Sequence, residues 1–116
     1  MGKVHIYGIK NCNTMKKTFD WFDENGIEYE FHDYKKGGFD EGIFNKAIKT
    51  HGWNAVINTR GMTWRKVEDD VKSSINDNNA VELAACKTSV IKRPMIVTND
   101  DILLGFDVDT LTKTFS

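Results

Sequence analysis

The sequence is poor in the residues that cross-link small domains or bind structural metals. Its 116 residues include two cysteines, 74 positions apart, and one proline. Because the first residues also lack the apolar core of a secretion signal, we expect Cys12 and Cys86 to be reduced thiols rather than a disulfide framework. The histidines, His5, His32 and His51, are scattered and none is spaced with a cysteine as zinc ligands are. The sequence therefore predicts no metal site.

Excess charge and long apolar runs are also missing. The chain has 16 Lys and Arg residues against 17 Asp and Glu, for a net charge of -1. A protein whose main role is to bind the phosphate backbone of a nucleic acid needs a net basic surface, so this charge balance argues against that role. Apolar runs such as Met95–Val97 fall far short of the roughly 20 residues of a membrane-spanning helix. Hydrophobic residues still make up 40% of the chain, enough to bury a core. These features predict one cytoplasmic domain over residues 1–116, a monomer with no direct nucleic-acid or membrane contact.

The first third of the chain has the pattern of a βαβ unit. Val4–Tyr7 is β-branched and aromatic and stops at Gly8, which predicts a strand and then a loop over residues 8–11. Apolar residues then recur at helical spacing, from an N-cap at Asn13 or Thr14 to a stop at Asn25-Gly26. Residues 27–32 alternate between apolar and polar, as a half-buried strand does. The two strands should be parallel because a helix connects them.

A helical insertion separates this unit from a second one. From about residue 38 to residue 90, apolar residues recur in short helical stretches broken by glycines and polar runs. After Pro94, two apolar runs flank a tight turn at Thr98–Asp101, which predicts a β-hairpin, and an amphipathic helix follows from Val108. The order βαβ, insertion, ββα is the thioredoxin-like arrangement. We therefore predict an α/β fold whose mixed four-stranded sheet carries a helical insertion between its two halves.

Cys12 is the residue best placed for chemistry. It directly precedes the first helix, where unpaired N–H groups and the positive end of the helix dipole favour a thiolate over a thiol. A thiol with a pKa near 8.5 is only ~3% ionised at pH 7, whereas one lowered to about 6 is ~90% ionised. A core cysteine would have apolar neighbours, yet these are polar: Lys10, Asn11, Asn13 and Thr14. We favour a reactive thiol over the alternative of a buried structural one.

The second thiol and two of the histidines are expected to play no part in this chemistry. Cys86 ends an apolar helical stretch, where we expect it to pack rather than to pair with Cys12. His5 and His32 fall at polar positions of the predicted strands, and we expect solvent to surround them.

Arginine is scarce, which makes its positions informative. The chain has 13 lysines but only three arginines, Arg60, Arg65 and Arg93. Arginine captures carboxylates and oxyanions through two parallel hydrogen bonds, so these residues are candidates for an anion site, with three scattered surface arginines as the alternative. Arg93 precedes Pro94, and a proline just before a strand in such a fold is often cis, which would expose the Arg93 backbone beside the thiol loop.

Four ordered motifs resemble one protein family over nearly the whole chain. They are Ile6–Lys17, which contains Cys12, then Ile27–Lys35, Asn58–Arg65 and Ile91–Pro94. Through them the sequence is similar to the YffB subgroup of the arsenate reductase (ArsC) and Spx family. The resemblance implies a thioredoxin-like fold with a helical insertion and a redox role for Cys12. It also implies that Arg60 and Arg93 face the sulfur, lower its pKa and hold an anion, and that the activity is that of a glutathione-dependent thiol reductase.

Three positions depart from members of this family. True arsenate reductases place a histidine four residues before the cysteine and a third arginine in the last strand, and here these positions hold Gly8 and Phe106. The missing guanidinium removes charge-assisted hydrogen bonds of ~1.5 to 3 kcal/mol each, which makes arsenate the weaker substrate candidate. Spx-like regulators bind RNA polymerase and commonly carry a C-x-x-C motif, whose fourth position is Met15 here.

The sequence thus predicts a monothiol oxidoreductase with no resident cofactor. Cys12 would attack a disulfide or a sulfenylated substrate, and glutathione would act as co-substrate because Met15 offers no second thiol. Arg60, Arg93 and Lys10 would hold glutathione carboxylates, and the backbone beside Pro94 would align the tripeptide. The remaining candidate binding residues are the polar neighbours of the thiol and two at the rim: Asn11, Asn13, Thr14, Trp64 and Arg65.

Glutaredoxin or a protein disulfide is a further candidate partner. Two alternatives stay open from the sequence: an arsenate reductase coupled to glutathione and glutaredoxin, and a non-enzymatic Spx-like regulator that binds RNA polymerase.

Overall fold

The sheet has four strands in the order β2-β1-β3-β4. The computed structural model describes residues 3–116, and the predicted domain also included residues 1 and 2, which lie outside the described residues. The strands are β1 (His5–Gly8), β2 (Glu30–Asp33), β3 (Met95–Val97) and β4 (Ile102–Leu104). β1 is parallel to β2, and β3 is antiparallel to both β1 and β4. The mixed sheet confirms the predicted thioredoxin-like α/β fold, including its final hairpin.

Helices α1 (Asn13–Glu24) and α7 (Val108–Phe115) follow β1 and β4. The insertion between β2 and β3 contains five helices, α2 (Glu41–His51), α3 (Trp53–Val56), α4 (Met62–Arg65), α5 (Asp69–Ser74) and α6 (Ala80–Cys86). It also has 3₁₀ turns at Tyr34–Lys36 and Thr88–Val90. Between residues 3 and 116, no helix combines the length and the apolar character needed to cross a membrane.

Alternating side chains give the sheet two apolar faces. One face packs against α1 and α7, with a core that includes Ile6, Phe22, Ile96 and Leu111. The other face packs against the insertion, with a core that includes Tyr7, Phe44, Met95 and Val97. Because both faces are covered, the strand ends and the sheet edges are the places left for chemistry.

Three boundaries differ from the sequence-based expectations. The first strand, predicted over Val4–Tyr7 with a loop from Gly8, is His5–Gly8 in the structure. The N-cap of α1 is Cys12 itself, with φ -145° and ψ 131°, rather than Asn13 or Thr14. The strand predicted from residue 27 begins only at Glu30, because Glu30 is the partner of His5, where the paired part of β1 begins.

Two expectations about single side chains were wrong. Cys86 is exposed rather than packed. The buried residues of α6 are Ala80 and Ala84, which lie one turn apart on one face of the helix, and Cys86 falls outside that face. The side chains of His5 and His32 were expected to be surrounded by solvent, but they are only 31% and 26% exposed and meet each other, because the parallel pairing of β1 with β2 brings both to one face of the sheet.

Gly8 allows the first turn of α1 to close onto the end of β1. A Cβ atom at Gly8 would lie 2.6 Å from Met15 Sδ and 2.7 Å from Met15 Cε. Met15 is fully buried, so its side chain has little space into which to move. The contact between these two residues therefore helps to set the position of Cys12, which lies between them in the chain.

Gly8→Ala is expected to lower the free energy of unfolding by about 1–3 kcal/mol, the usual cost of forcing an extra methyl group into a packed site. Urea unfolding of the variant and the parent measures the change. Gly42→Ala is the matched control, because its Cβ would come no closer than 3.3 Å to Asp40 Oδ1 and alanine favours a helix by up to about 1 kcal/mol. A Gly8→Ala protein as stable as the parent would mean that Met15 moves aside freely.

Candidate active site

Cys12 lies between the end of β1 and the start of α1. Its N–H donates to the Lys10 carbonyl at 3.1 Å, which closes the preceding loop. Its carbonyl accepts from the Lys16 N–H at 3.0 Å, the first hydrogen bond of the helix. The side chain is half-buried and its thiol is free. The sulfur is therefore held beside the unpaired N–H groups of the first helical turn.

The surroundings of Cys12 favour its ionised form. Partial burial acts to raise the pKa, but it is outweighed by nearby donors, the Met15 N–H, the Arg93 guanidinium and the Thr14 N–H, and by the Arg93 charge. The pKa of Cys12 consequently lies below that of an ordinary cysteine. No short capping hydrogen bond joins the side chain to the helix, so these donors act on the sulfur from a longer distance.

The pairing of β1 with β3 brings Arg93 to the thiol. Tyr7 is opposite Met95 in this antiparallel pair, so residue 93 lies across from the loop that leads to Cys12. Arg93 Nη1 donates to the Ser89 carbonyl at 3.1 Å, which orients the guanidinium. Within the described residues, Arg93 Nε is buried and has no hydrogen-bond partner. The Arg93-Pro94 peptide bond is cis.

A cavity of about 590 Å³ lies beside β4 and contains Arg60 in its wall. Lys92 and His51 add basic groups to this wall, and Asp107 adds an acidic one. The cavity adjoins the Arg93 segment, because Gly105, another lining residue, donates its N–H to the Pro94 carbonyl at 2.8 Å.

The structure does not gather all the sequence-predicted residues around Cys12. Among the residues from 3 to 116, the groups that act on the Cys12 pKa include Arg93 but not Arg60, which lines the cavity instead. Trp64 packs within the insertion, with its ring 5.9 Å from that of Trp53. Arg65 is exposed at the end of α4. The remaining candidates surround Cys12 in the loop and the first helical turn: Lys10, Asn11, Asn13 and Thr14.

Sequence reasoning missed Lys92 and the cavity that it lines. The only local signal was its place next to Arg93. Its position depends on a long-range contact, the antiparallel bridge between Ile57 and Ile91, which ties the Arg60 segment to the Lys92 segment. The Met15 N–H was also not identified from the sequence as a donor near the Cys12 sulfur, although the start of a helix is expected to have unpaired N–H groups.

The fold and this site define a thioredoxin-like protein with a partly exposed thiol of lowered pKa at the start of its first helix. A sequence model of the ArsC family matches residues 7–114, so the chain belongs to the ArsC family. This result confirms the resemblance inferred from the four motifs.

Solved structures and relatives agree with this assignment. A structure described as the YffB protein is 37% identical, with a TM-score of 0.94, and the match covers 98% of this chain and 100% of that one. An arsenate reductase (ArsC) related protein from Brucella melitensis is 39% identical, with a TM-score of 0.75 and coverages of 98% and 95%. A Haemophilus influenzae protein described as uncharacterized is 36% identical over 97% of this chain and 99% of its own length. The global transcriptional regulator Spx of Streptococcus pyogenes is 24% identical over 97% and 85%.

Arg93→Ala is expected to raise the pKa of Cys12, because it removes a nearby donor and a positive charge that favour the thiolate. The rate of alkylation by iodoacetamide at pH 7 should fall in proportion to the ionised fraction of the thiol. The midpoint of the alkylation rate against pH is the measurement. Arg60→Ala should leave the midpoint unchanged, as should Lys49→Ala, which removes an exposed charge from α2. An unchanged midpoint in Arg93→Ala would contradict the assignment.

Proposed function

We propose that this protein is a monothiol, glutathione-dependent thiol–disulfide reductase that works in a reducing compartment such as the cytoplasm. The observation that carries the proposal is the partly exposed Cys12 thiol with a lowered pKa. Met15 occupies the position of the second cysteine in a C-x-x-C motif, and its side chain is buried. An external thiol must therefore regenerate Cys12, and glutathione is the main thiol buffer of reducing compartments.

The proposed cycle consists of three thiol–disulfide exchanges. The Cys12 thiolate attacks a substrate disulfide, R–S–S–R′, which forms Cys12–S–S–R and releases the R′ thiolate. A glutathione thiolate attacks the Cys12 sulfur, which gives Cys12–S–S–G and the R thiolate. A second glutathione thiolate attacks the glutathione sulfur, which releases oxidised glutathione and the Cys12 thiolate. Two glutathione molecules supply the two electrons, and both substrate thiolates take protons from water.

The lowered pKa of Cys12 helps in two of these steps. It keeps the thiolate available for the first attack, and it makes Cys12 a good leaving group in the last exchange. Arg93 supports both roles, because a guanidinium stabilises the negative sulfur.

The cavity beside β4 has a suitable position and charge for one end of glutathione. Adjacent strands lie about 4.8 Å apart, so β4 is only about 10 Å from β1. A glutathione joined to Cys12 would extend past Arg93 and bring a carboxylate towards Arg60 and Lys92.

Oxidised glutathione is expected to add one glutathione to each chain, at Cys12, as shown by intact mass and peptide mapping. Reduction of a small disulfide by glutathione, coupled to glutathione reductase and NADPH, should fall to background in Cys12→Ser because the attacking sulfur is lost. Cys86→Ser is the matched control, and it should keep both the adduct and the turnover. An adduct on Cys86 instead of Cys12, or a Cys12 adduct without turnover, would rule out the proposed cycle.

Arg60→Ala and Lys92→Ala are each expected to raise the KM for glutathione about five- to tenfold, because each removes a charge-assisted contact with a carboxylate. In both variants, the pH midpoint of Cys12 alkylation should be the same as in the parent protein. Steady-state kinetics with varied glutathione measure the first effect. Lys113→Ala, which removes an exposed charge from α7, is the control, and equal KM values in all four proteins would place glutathione elsewhere.

Arsenate reduction is the second candidate, because the chain belongs to the ArsC family. Phe106 weighs against it, since this residue packs towards the core beneath α1 and α7 and offers no charge to an oxyanion. Arsenate-dependent oxidation of NADPH, coupled through glutaredoxin, separates the two activities. Robust arsenate turnover would make arsenate reduction the better-supported activity. Capture of RNA polymerase without any thiol turnover would favour a regulator instead of an enzyme.

A further inference from the structure

A cluster of two histidines and a glutamate lies on the sheet, away from the thiol. In the parallel pairing of β1 with β2, His5 is opposite Glu30 and Tyr7 is opposite His32. Side chains two residues apart on a strand share a face, so all three point to the side that the insertion packs against. Their side chains remain 31%, 46% and 26% exposed in the order His5, Glu30, His32, which shows that the insertion leaves this corner open.

We propose that His5, Glu30 and His32 form a binding site for a divalent transition-metal ion, with Zn²⁺ as the best match. Each residue offers one ligand atom, and these atoms all lie within 4.8 Å of one another. Two imidazole nitrogens and a carboxylate oxygen are ligands that Zn²⁺ accepts, and three protein ligands leave a fourth position for water.

The distances between the ligand atoms fit a small tetrahedral ion. Metal bonds of about 2.0–2.1 Å at tetrahedral angles place ligand atoms about 3.3–3.4 Å apart. Glu30 Oε2 lies 3.3 Å from His5 Nδ1 and 3.3 Å from His32 Nε2. The two nitrogens are 2.8 Å apart, so about half an ångström of separation completes the geometry.

Neighbouring contacts hold two of the ligands in place. The His32 ring stacks on Tyr7, with centroids 4.5 Å apart and planes 15° from parallel, and Tyr7 is buried. Lys3 Nζ lies 3.4 Å from Glu30 Oε1, which leaves Oε2 directed towards the histidines. Ligands that are oriented before the ion arrives lose less freedom when they bind it.

The site is separate from the proposed reductase chemistry. His5 begins β1, whereas Cys12 follows its other end, and the strand itself spans about 10 Å. The inference therefore stands or falls independently of the proposed function.

Zn²⁺ binding to the full chain tests this inference. Cys12→Ser and Cys86→Ser are introduced together so that no thiolate competes for the ion, and Zn²⁺ is titrated calorimetrically in a buffer that does not chelate it. One Zn²⁺ should bind per chain. His5→Gln and His32→Gln should each weaken binding at least about tenfold, since even the loss of a residue that only supports a ligand costs about 10- to 100-fold. His51→Gln, which removes a histidine outside the cluster, is the matched control.

Two further measurements separate a lost ligand from a damaged fold. Zn²⁺ should raise the Tm of the double-serine protein and of His51→Gln but not that of His32→Gln, because only a native site gains stability from the ion. Glu30→Gln keeps the size of the exposed side chain and should also weaken binding. Absence of binding at millimolar Zn²⁺, or equal binding by all the histidine variants, would overturn the proposal and leave the cluster a hydrogen-bonded pair of histidines beside a carboxylate.

Discussion

The antiparallel pairing of β1 with β3 is the contact on which the candidate active site depends. Cys12 and Arg93 are far apart in the chain, and they meet because Tyr7 and Met95 are partners across two adjacent strands. Without this pairing, the sulfur would keep only the N–H groups of the first helical turn. The guanidinium adds both a donor and a full positive charge, so this long-range pairing helps to lower the pKa of the Cys12 thiol.

Packing on both faces of the sheet fixes the register of this pairing. Ile6 belongs to the core under α1 and α7, whereas its neighbour Tyr7 belongs to the core under the insertion. A slip of one residue in β1 would exchange these two faces, so that His5 and Tyr7 would move into the core under α1 and α7 and Ile6 into the core under the insertion. The register is therefore held by packing of the whole domain.

Features with a local signal in the sequence were predictable, and features that depend on register were not. The strand before Gly8, the helix after Cys12 and the final hairpin each have their own periodicity, and together they define the fold. His5 and His32 look like separate polar residues until the parallel register of β1 and β2 is known. The exposure of Cys86 depends on which face of α6 turns inward, and Arg60 is positioned by a bridge between distant segments.

The close contact between Gly8 and Met15 also bears on how this chain could diverge. Any side chain at position 8 would meet the buried thioether, so it could be accommodated only together with a shift or a replacement of Met15. A smaller residue at position 15 would make room, but that change alone leaves a void in the core. The effect of a substitution at either position is therefore expected to depend on the residue at the other.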